Sequence, residues 1–383
     1  MLFEIIKDFP NDIIYEGHVP CISLYQPTYR HSPENNQDPI VFKNLIRKIE
    51  NSLRLEYQKS DIDSIMKPFY QIEEDKNFWN KTLDGLAILT NSQKCVVYRL
   101  QSQVKEFAVA ADSFHIKPLI RIFQSVDRYQ LLGLSRNEFS LYQGNRYGYQ
   151  EIELKPGTPR TMTEVLGEEH TGAYQAHRLS GDAGDTGMYY GHGGKKAEID
   201  KDTEKFFRYV DRFILEHYSR PSELPLILVS LKEYHSLFRH VSHNQYLLDR
   251  GIDSSYESLE TEQLTEKALE IIEPIYLKKI MNLVDSFEAA KANSLGSDDL
   301  ALVTKAAFEN RVKTVFIEAD KILPGKISHD SGEIEAGHIQ DADCDDLLDD
   351  IAELVLKNRG EVVVLPKEQM LGDTGAAAIF RYK

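Results

Sequence analysis

Apolar residues near the amino terminus recur with the period of a helix. Val41, Leu45, Ile49 and Leu53 lie four positions apart, which is the recurrence of one buried helical stripe. The segment from residue 40 to 57 is therefore predicted to be a helix, with basic side chains on its other positions.

Apolar runs separated by polar turns predict strands in the segments that follow. LDGLAILT and KCVVYRL flank Asn91-Ser92 and predict a strand pair. Three further runs between residues 128 and 154 predict an antiparallel meander. From about residue 156 to 200, Gly, His, Asp and Thr dominate without a hydrophobic period. This segment is predicted to be a long glycine-rich loop, and loops of that length are usually functional or disordered.

The remainder of the chain alternates between helix and strand patterns. Phe206, Val210 and Ile214 predict an amphipathic helix that Pro221 ends, and a buried strand follows it. A long helical region is predicted after residue 261, with an irregularity at Pro274. Helices and strands then alternate to the carboxyl terminus, which favours a layered sheet.

Length and pattern together predict a multidomain protein of the α/β (α+β) class. At 383 residues, the chain exceeds what one hydrophobic core usually organises. We expect a mixed amino-terminal domain at 1–126, a middle domain at 127–260 and a layered α/β domain at 261–383. The middle domain contains the strand meander, the long loop and the amphipathic helix.

The net charge of −16 is unevenly distributed. Basic and acidic residues number 15 and 16 in residues 1–126, 16 and 21 in 127–260, and 14 and 24 in 261–383. The first two thirds are therefore compatible with RNA, and the last third with solvent or a protein partner. The acids between Asp330 and Glu353 are dense enough to suggest a binding tail. Those from Asp345 to Asp350 are interpreted instead as a solvated helix start, where negative charge suits the helix dipole.

Several classes of function lack their motifs. The amino terminus has no secretory pattern, no segment is apolar enough to span a membrane, and three widely spaced cysteines favour neither disulfides nor a metal knuckle. A cytoplasmic location is expected. The chain has no His-Glu-x-x-His, no Gly-x-Ser-x-Gly and no complete phosphate-binding loop. We therefore predict no metal, no cofactor and no catalytic residue.

The amino-terminal region also contains candidate RNA contacts. Tyr29, Arg30 and His31 lie in a proline-punctuated loop next to Tyr25, and mixtures of aromatic and basic residues suit stacking on unpaired bases. Lys43 and Arg47 lie on the predicted helix. Ordinary surface packing and a solvated helix face are the alternative interpretations.

Three features in chain order resemble the archaeo-eukaryotic release factor and Pelota family, including its bacterial members. The meander, the loop with Gly191-His192-Gly193-Gly194 and the following helix resemble the family's middle domain. DDLALVTKAAFENRVKTVFIEAD is similar to the opening of its carboxyl-terminal domain, and DTGAAAIFRYK resembles the closing strand. The resemblance extends from about residue 128 to the end.

The resemblance implies docking of the glycine-rich loop near the peptidyl-transferase centre. Releasing members carry Gly-Gly-Gln there, whereas this chain has Gly-Gly-Lys, so peptide release is not expected. The candidate rRNA-binding residues of the loop are Gly191, His192, Gly193, Gly194, Lys195 and Lys196.

The resemblance implies a non-enzymatic ribosome hibernation factor that occupies the A site independently of the codon, since the codon-reading Asn-Ile-Lys-Ser is absent. Its implied partners are rRNA of both subunits and a translational GTPase, elongation factor Tu, without DNA or membrane. A peptidyl-tRNA hydrolase that rescues ribosomes and a stress-linked adaptor that does not bind RNA are the alternatives.

Overall fold

The computed structural model divides the chain into two compact units. One unit is discontinuous and combines Met1–Gln124 with Lys279–Lys383, and the other is Ser125–Lys278. The described residues are 2–55, 57–124, 128–146, 148–167, 192–328, 330–336 and 345–383. The α/β multidomain fold class is confirmed, and the predicted domain boundaries stay predictions.

The amino-terminal part of the discontinuous unit is a five-stranded sheet covered by helices. Its elements are β1 (Glu4–Ile6), β2 (Cys21–Pro27), α1 (Asp38–Leu53), α2 (Lys59–Glu74), α3 (Lys76–Trp79), β3 (Gly85–Thr90), β4 (Cys95–Leu100), β5 (Phe107–Ala111) and α4 (Lys117–Phe123). The strand order is β1-β4-β3-β2-β5. The predicted strand pair is confirmed as antiparallel β3 and β4, and the Asn91 side chain accepts hydrogen bonds from the turn amides of Gln93 and Lys94.

The predicted helical stripe forms the inner face of α1. Leu45, Ile49 and Leu53 are buried, together with Phe42, and they belong to one core with α2 and the sheet. The Phe42 ring meets Trp79 edge to face with ring centroids 5.3 Å apart. Periodicity therefore predicted the correct buried side of this helix.

The middle unit is built on a second five-stranded sheet. Its elements are β6 (Tyr129–Leu134), β7 (Phe139–Asn145), β8 (Gly148–Glu151), α5 (Met162–Leu166), α6 (His192–Ile214), β9 (Leu226–Ser230), α7 (Lys232–Val241) and β10 (Ile252–Asp253). The order is β10-β9-β6-β7-β8. The predicted meander is confirmed by antiparallel pairing of β6 with β7 and of β7 with β8.

Helices occupy both ends of the segment that the composition predicts to be a long loop. At its start, Thr161 and Glu164 form a capping box, in which each side chain accepts a hydrogen bond from the other's backbone amide, and this begins α5. At its end, α6 begins at His192. Residues 168–191 lie outside the described residues. After α6, helical turns continue to Ser222 and include Pro221.

The carboxyl-terminal part contains a four-stranded sheet and a three-stranded sheet. Helix α8 (Thr261–Ala292) begins in the middle unit and enters this part at Lys279. The other elements are β11 (Gly296–Ser297), α9 (Leu300–Phe308), β12 (Val312–Glu318), β13 (Pro324–Ile327), β14 (Ile334–Ala336), β15 (Asp345–Asp346), α10 (Leu347–Lys357), β16 (Glu361–Leu365) and β17 (Ala376–Phe380). The orders are β11-β17-β12-β16 and β14-β13-β15. Helix α8 continues through Pro274. Proline has no amide hydrogen for the carbonyl four residues before it, and at this exposed position water can bind that carbonyl instead.

Candidate functional site

The Gly-Gly-Lys tripeptide lies at the beginning of a long helix. Because α6 starts at His192, Gly193, Gly194, Lys195 and Lys196 occupy its first turns. Their side chains lie outside the described residues, and so does the whole of Gly191. The tripeptide therefore lies at the start of a helix, whereas its composition predicts a loop.

The carboxyl-terminal half of α6 is firmly attached to the middle sheet. Phe206, Phe207, Val210 and Ile214 are buried, and the Phe207 ring meets Phe238 of α7 edge to face at 5.8 Å. At 1.5 Å per residue, this packed region begins about 18 Å along the helix axis from the tripeptide. The tripeptide therefore lies about three helical turns before the part of α6 that packs on the sheet.

The aromatic and basic residues before α1 have different environments. The Tyr25 ring is buried and its hydroxyl donates to the His115 carbonyl at 2.5 Å, which removes Tyr25 from base stacking. Arg30 binds both carboxylate oxygens of Asp84, at 2.8 and 2.5 Å, and this hydrogen bonding raises the Arg30 pKa. Tyr29 is 41% exposed, and His31 is also exposed.

Asp38 joins this loop to α1. Its carboxylate accepts a hydrogen bond from the Tyr29 amide at 3.0 Å, and its carbonyl accepts one from the Gln26 side chain at 2.8 Å. Burial raises the pKa of Asp38. Beyond it, Lys43 and Arg47 are exposed on α1. Of the five predicted amino-terminal contacts, Tyr29, His31, Lys43 and Arg47 thus remain accessible, while Arg30 is engaged by Asp84.

A buried polar cluster that sequence reasoning missed joins the two parts of the discontinuous unit. Asp349, which is fully buried, accepts hydrogen bonds from the amides of Ile116, at 3.0 and 2.9 Å, and Lys117, at 2.6 Å. These are the first amides of α4, which has no side-chain cap of its own. A carboxylate of the carboxyl-terminal part therefore caps a helix of the amino-terminal part.

Lys117 extends this cluster. Its ammonium is buried, forms a salt bridge with Asp346 and donates to the Lys321 carbonyl at 2.7 Å. Asp346 in turn caps α10 by accepting from the Leu348 amide. The predicted helix start is confirmed, since Asp346 caps α10 and Asp349 and Asp350 lie in its first turn. The prediction that these acids are solvated was wrong for Asp346 and Asp349, which are buried and bind groups of the amino-terminal part.

Two further contacts surround this cluster. The Gln124 side chain donates to the Val364 carbonyl at 3.2 Å and accepts from the Val364 amide at 3.1 Å, as a neighbouring strand would. His115 lies with its Nδ1 3.5 Å from Asp349. Burial and the Lys117 charge lower the His115 pKa to about 3, so this imidazole is neutral at physiological pH.

In the described part of the chain, no group of three His, Cys, Asp or Glu side chains is placed to hold a metal ion. No helix there is both long and apolar enough to cross a membrane. Cys21 and Cys95 are buried free thiols, and burial raises the pKa of each to about 12.

The sequence of the middle of the chain matches a family model. The sequence model of bacterial archaeo-eukaryotic release factor family 3 matches residues 128–311, which include the meander, the tripeptide and α6. This part of the chain is therefore similar to a release-factor-like family. A search of curated proteins found no match.

Three solved structures illustrate the structural comparisons. The archaeal translation termination factor aRF1 is 12% identical, with 97% of this chain and 96% of that chain covered and a TM-score of 0.25. Archaeal Pelota in a ribosome-bound model with ABCE1 is 14% identical, with 78% and 72% covered and a TM-score of 0.39. Dom34 of S. cerevisiae, described as interacting with Hbs1, is 14% identical, with 66% and 63% covered and a TM-score of 0.35.

Proposed function

We propose that this chain is a ribosome-binding translation factor of the hibernation type. It occupies the A site independently of the codon and reaches the peptidyl-transferase centre without releasing the peptide. The observation that carries the proposal is Gly193-Gly194-Lys195 at the start of α6, within the release-factor-like region, where releasing members of the family carry Gly-Gly-Gln.

The change from glutamine to lysine alters what the tripeptide can do. A glutamine amide both donates and accepts hydrogen bonds, whereas a protonated lysine only donates. Lys195 therefore cannot accept a hydrogen bond from an attacking water. The two glycines still permit close backbone approach to RNA, and the charges of Lys195 and Lys196 suit phosphate. The tripeptide favours occupancy of an RNA site over hydrolysis.

The carboxyl-terminal part is the proposed contact for a translational GTPase, elongation factor Tu. Its exposed acids, among them Glu335, Glu361 and Glu368, suit a protein partner better than a phosphate backbone. The remainder of the factor then faces rRNA of both subunits.

Sedimentation with ribosomes from stationary-phase cells tests the proposal. The tagged protein is expected in ribosomal fractions at low salt, and its absence from them would contradict the proposal. Purified factor should release nascent peptide from stalled ribosomes no faster than spontaneous hydrolysis. Release above that rate by the wild type would favour peptidyl-tRNA hydrolysis instead. Lys195→Gln is the matched variant, because it restores the Gly-Gly-Gln tripeptide.

A further inference from the structure

The solvent-facing side of α1 carries only one sign of charge. Its polar exposed residues are Lys43, Asn44, Arg47, Lys48, Asn51 and Arg54, here called the α1 basic face. At 3.6 residues per turn they fall within an arc of about 140°. Four cations and two amides occupy this arc without any exposed acid between residues 38 and 55, in a chain whose net charge is −16.

Acids at the border of the face neutralise its two ends but not its centre. Lys43 pairs with Glu73 of α2 at 2.9 Å, and Arg54 lies 3.8 Å from Glu50. For Arg47 and Lys48, which are exposed, the described part of the chain offers no hydrogen-bond or ion-pair partner. The centre of the face therefore has two cations available to an external anion.

The face is also rigid and extended. The opposite side of α1 is held in the core by Phe42, Leu45 and Ile49. The helix backbone is therefore already ordered, and binding costs it little conformational entropy. From Lys43 to Arg54 the helix rises about 16 Å. That length matches about five nucleotides of one strand at roughly 3.4 Å each.

We propose that the α1 basic face binds the phosphate backbone of RNA, with Arg47 and Lys48 as the charge-bearing contacts and Asn44 and Asn51 as hydrogen-bonding contacts. Lysine, arginine and asparagine are the side chains that position proteins on phosphates and sugars. The RNA is identified as ribosomal on the strength of the proposed function.

Two exposed apolar residues distinguish RNA from a membrane as the partner. Ile40 and Leu55 are 62% and 76% exposed and lie at opposite ends of the α1 basic face. They are fifteen positions apart, or about 22 Å along the direction of the helix axis, and the exposed residues between them are the cations and amides of the α1 basic face. A helix that lies in a bilayer interface needs a continuous apolar strip, which this face lacks.

The test is the salt dependence of binding to purified ribosomes. The variant Arg47→Glu with Lys48→Glu is compared with Lys59→Glu with Lys67→Glu, which makes the same charge change at exposed positions of α2. Each lost phosphate contact lowers the slope of log affinity against log salt by about 0.7 to 0.9. The α1 variant is therefore expected to lose at least about 1.4 from the slope, while the α2 variant keeps the wild-type slope.

The outcomes separate this assignment from the proposed function. If the wild type binds ribosomes and the α1 variant keeps its slope, or both variants lose it equally, the α1 assignment is overturned and ribosome binding stands. If the wild type does not bind ribosomes at any salt concentration, both the α1 assignment and the proposed function are overturned. Vesicles of phosphatidylserine and phosphatidylcholine form the last arm. Vesicle binding that the α1 variant abolishes, with ribosome binding unchanged, overturns RNA as the partner.

Discussion

Removal of the Asp349 carboxylate tests the joint between the two parts of the discontinuous unit. Asp349→Ala leaves the buried amides of Ile116 and Lys117 without the acceptor that they have in the native structure. Each unsatisfied buried donor costs about 1–3 kcal/mol. With two such donors, we expect the free energy of unfolding to fall by about 2–6 kcal/mol.

The chain contains one tryptophan, and its position makes the measurement specific. Trp79 is buried in the amino-terminal core, so its fluorescence during urea unfolding reports on the discontinuous unit. Asp349→Asn keeps one acceptor oxygen and should lose less stability than Asp349→Ala. Glu368→Ala removes an exposed carboxylate of the same part and should change stability by less than about 0.5 kcal/mol. A loss below about 1 kcal/mol in Asp349→Ala would refute the capping argument.

Two further changes probe other parts of the fold. The His115 pKa of about 3 lies below the unfolded value of about 6.5, so the unfolded chain binds more protons between these two values. Stability should therefore fall as the pH is lowered through this range, by up to about 1.4 kcal/mol per pH unit. His115→Gln should remove this contribution to the slope of stability against pH, measured by urea unfolding from pH 4 to 7, and an unchanged slope would contradict the argument. In the middle unit, a Cβ on Gly133 would lie 2.7 Å from the Tyr256 ring; Gly133→Ala should therefore cost about 1–3 kcal/mol, measured as faster amide exchange in β6, and unchanged exchange contradicts it.

Local periodicity explains which elements the sequence predicted well. The inner face of α1, the β3–β4 pair and the meander depend on residues within a few positions of one another. The capping box at Thr161 was equally local, since a threonine followed three positions later by Glu164 is a helix-start pattern. The loop prediction followed instead from the Gly, His, Asp and Thr that dominate residues 156–200 without a hydrophobic period.

Contacts between distant residues explain what the sequence left open. Asp349 and Ile116 are separated by 233 positions, so no local pattern links the carboxylate to the helix that it caps. Arg30 and Asp84 are likewise 54 positions apart. From the sequence alone, Arg30 is as good an RNA contact as Arg47, and only the fold shows that one guanidinium is engaged and the other available.

The buried acids also change how the net charge should be interpreted. Asp346, Asp349 and Glu353 belong to the acidic last third of the chain, yet each is less than 5% exposed. Asp346 and Asp349 bind Lys117 or backbone amides, and Glu353 pairs with Lys357 at 2.7 Å. Part of the acidity therefore stabilises the interior and presents no charge to a partner. RNA responds to the charge of the local surface rather than to the net charge of the chain. The negative net charge is therefore compatible with the proposed binding of RNA to the α1 basic face.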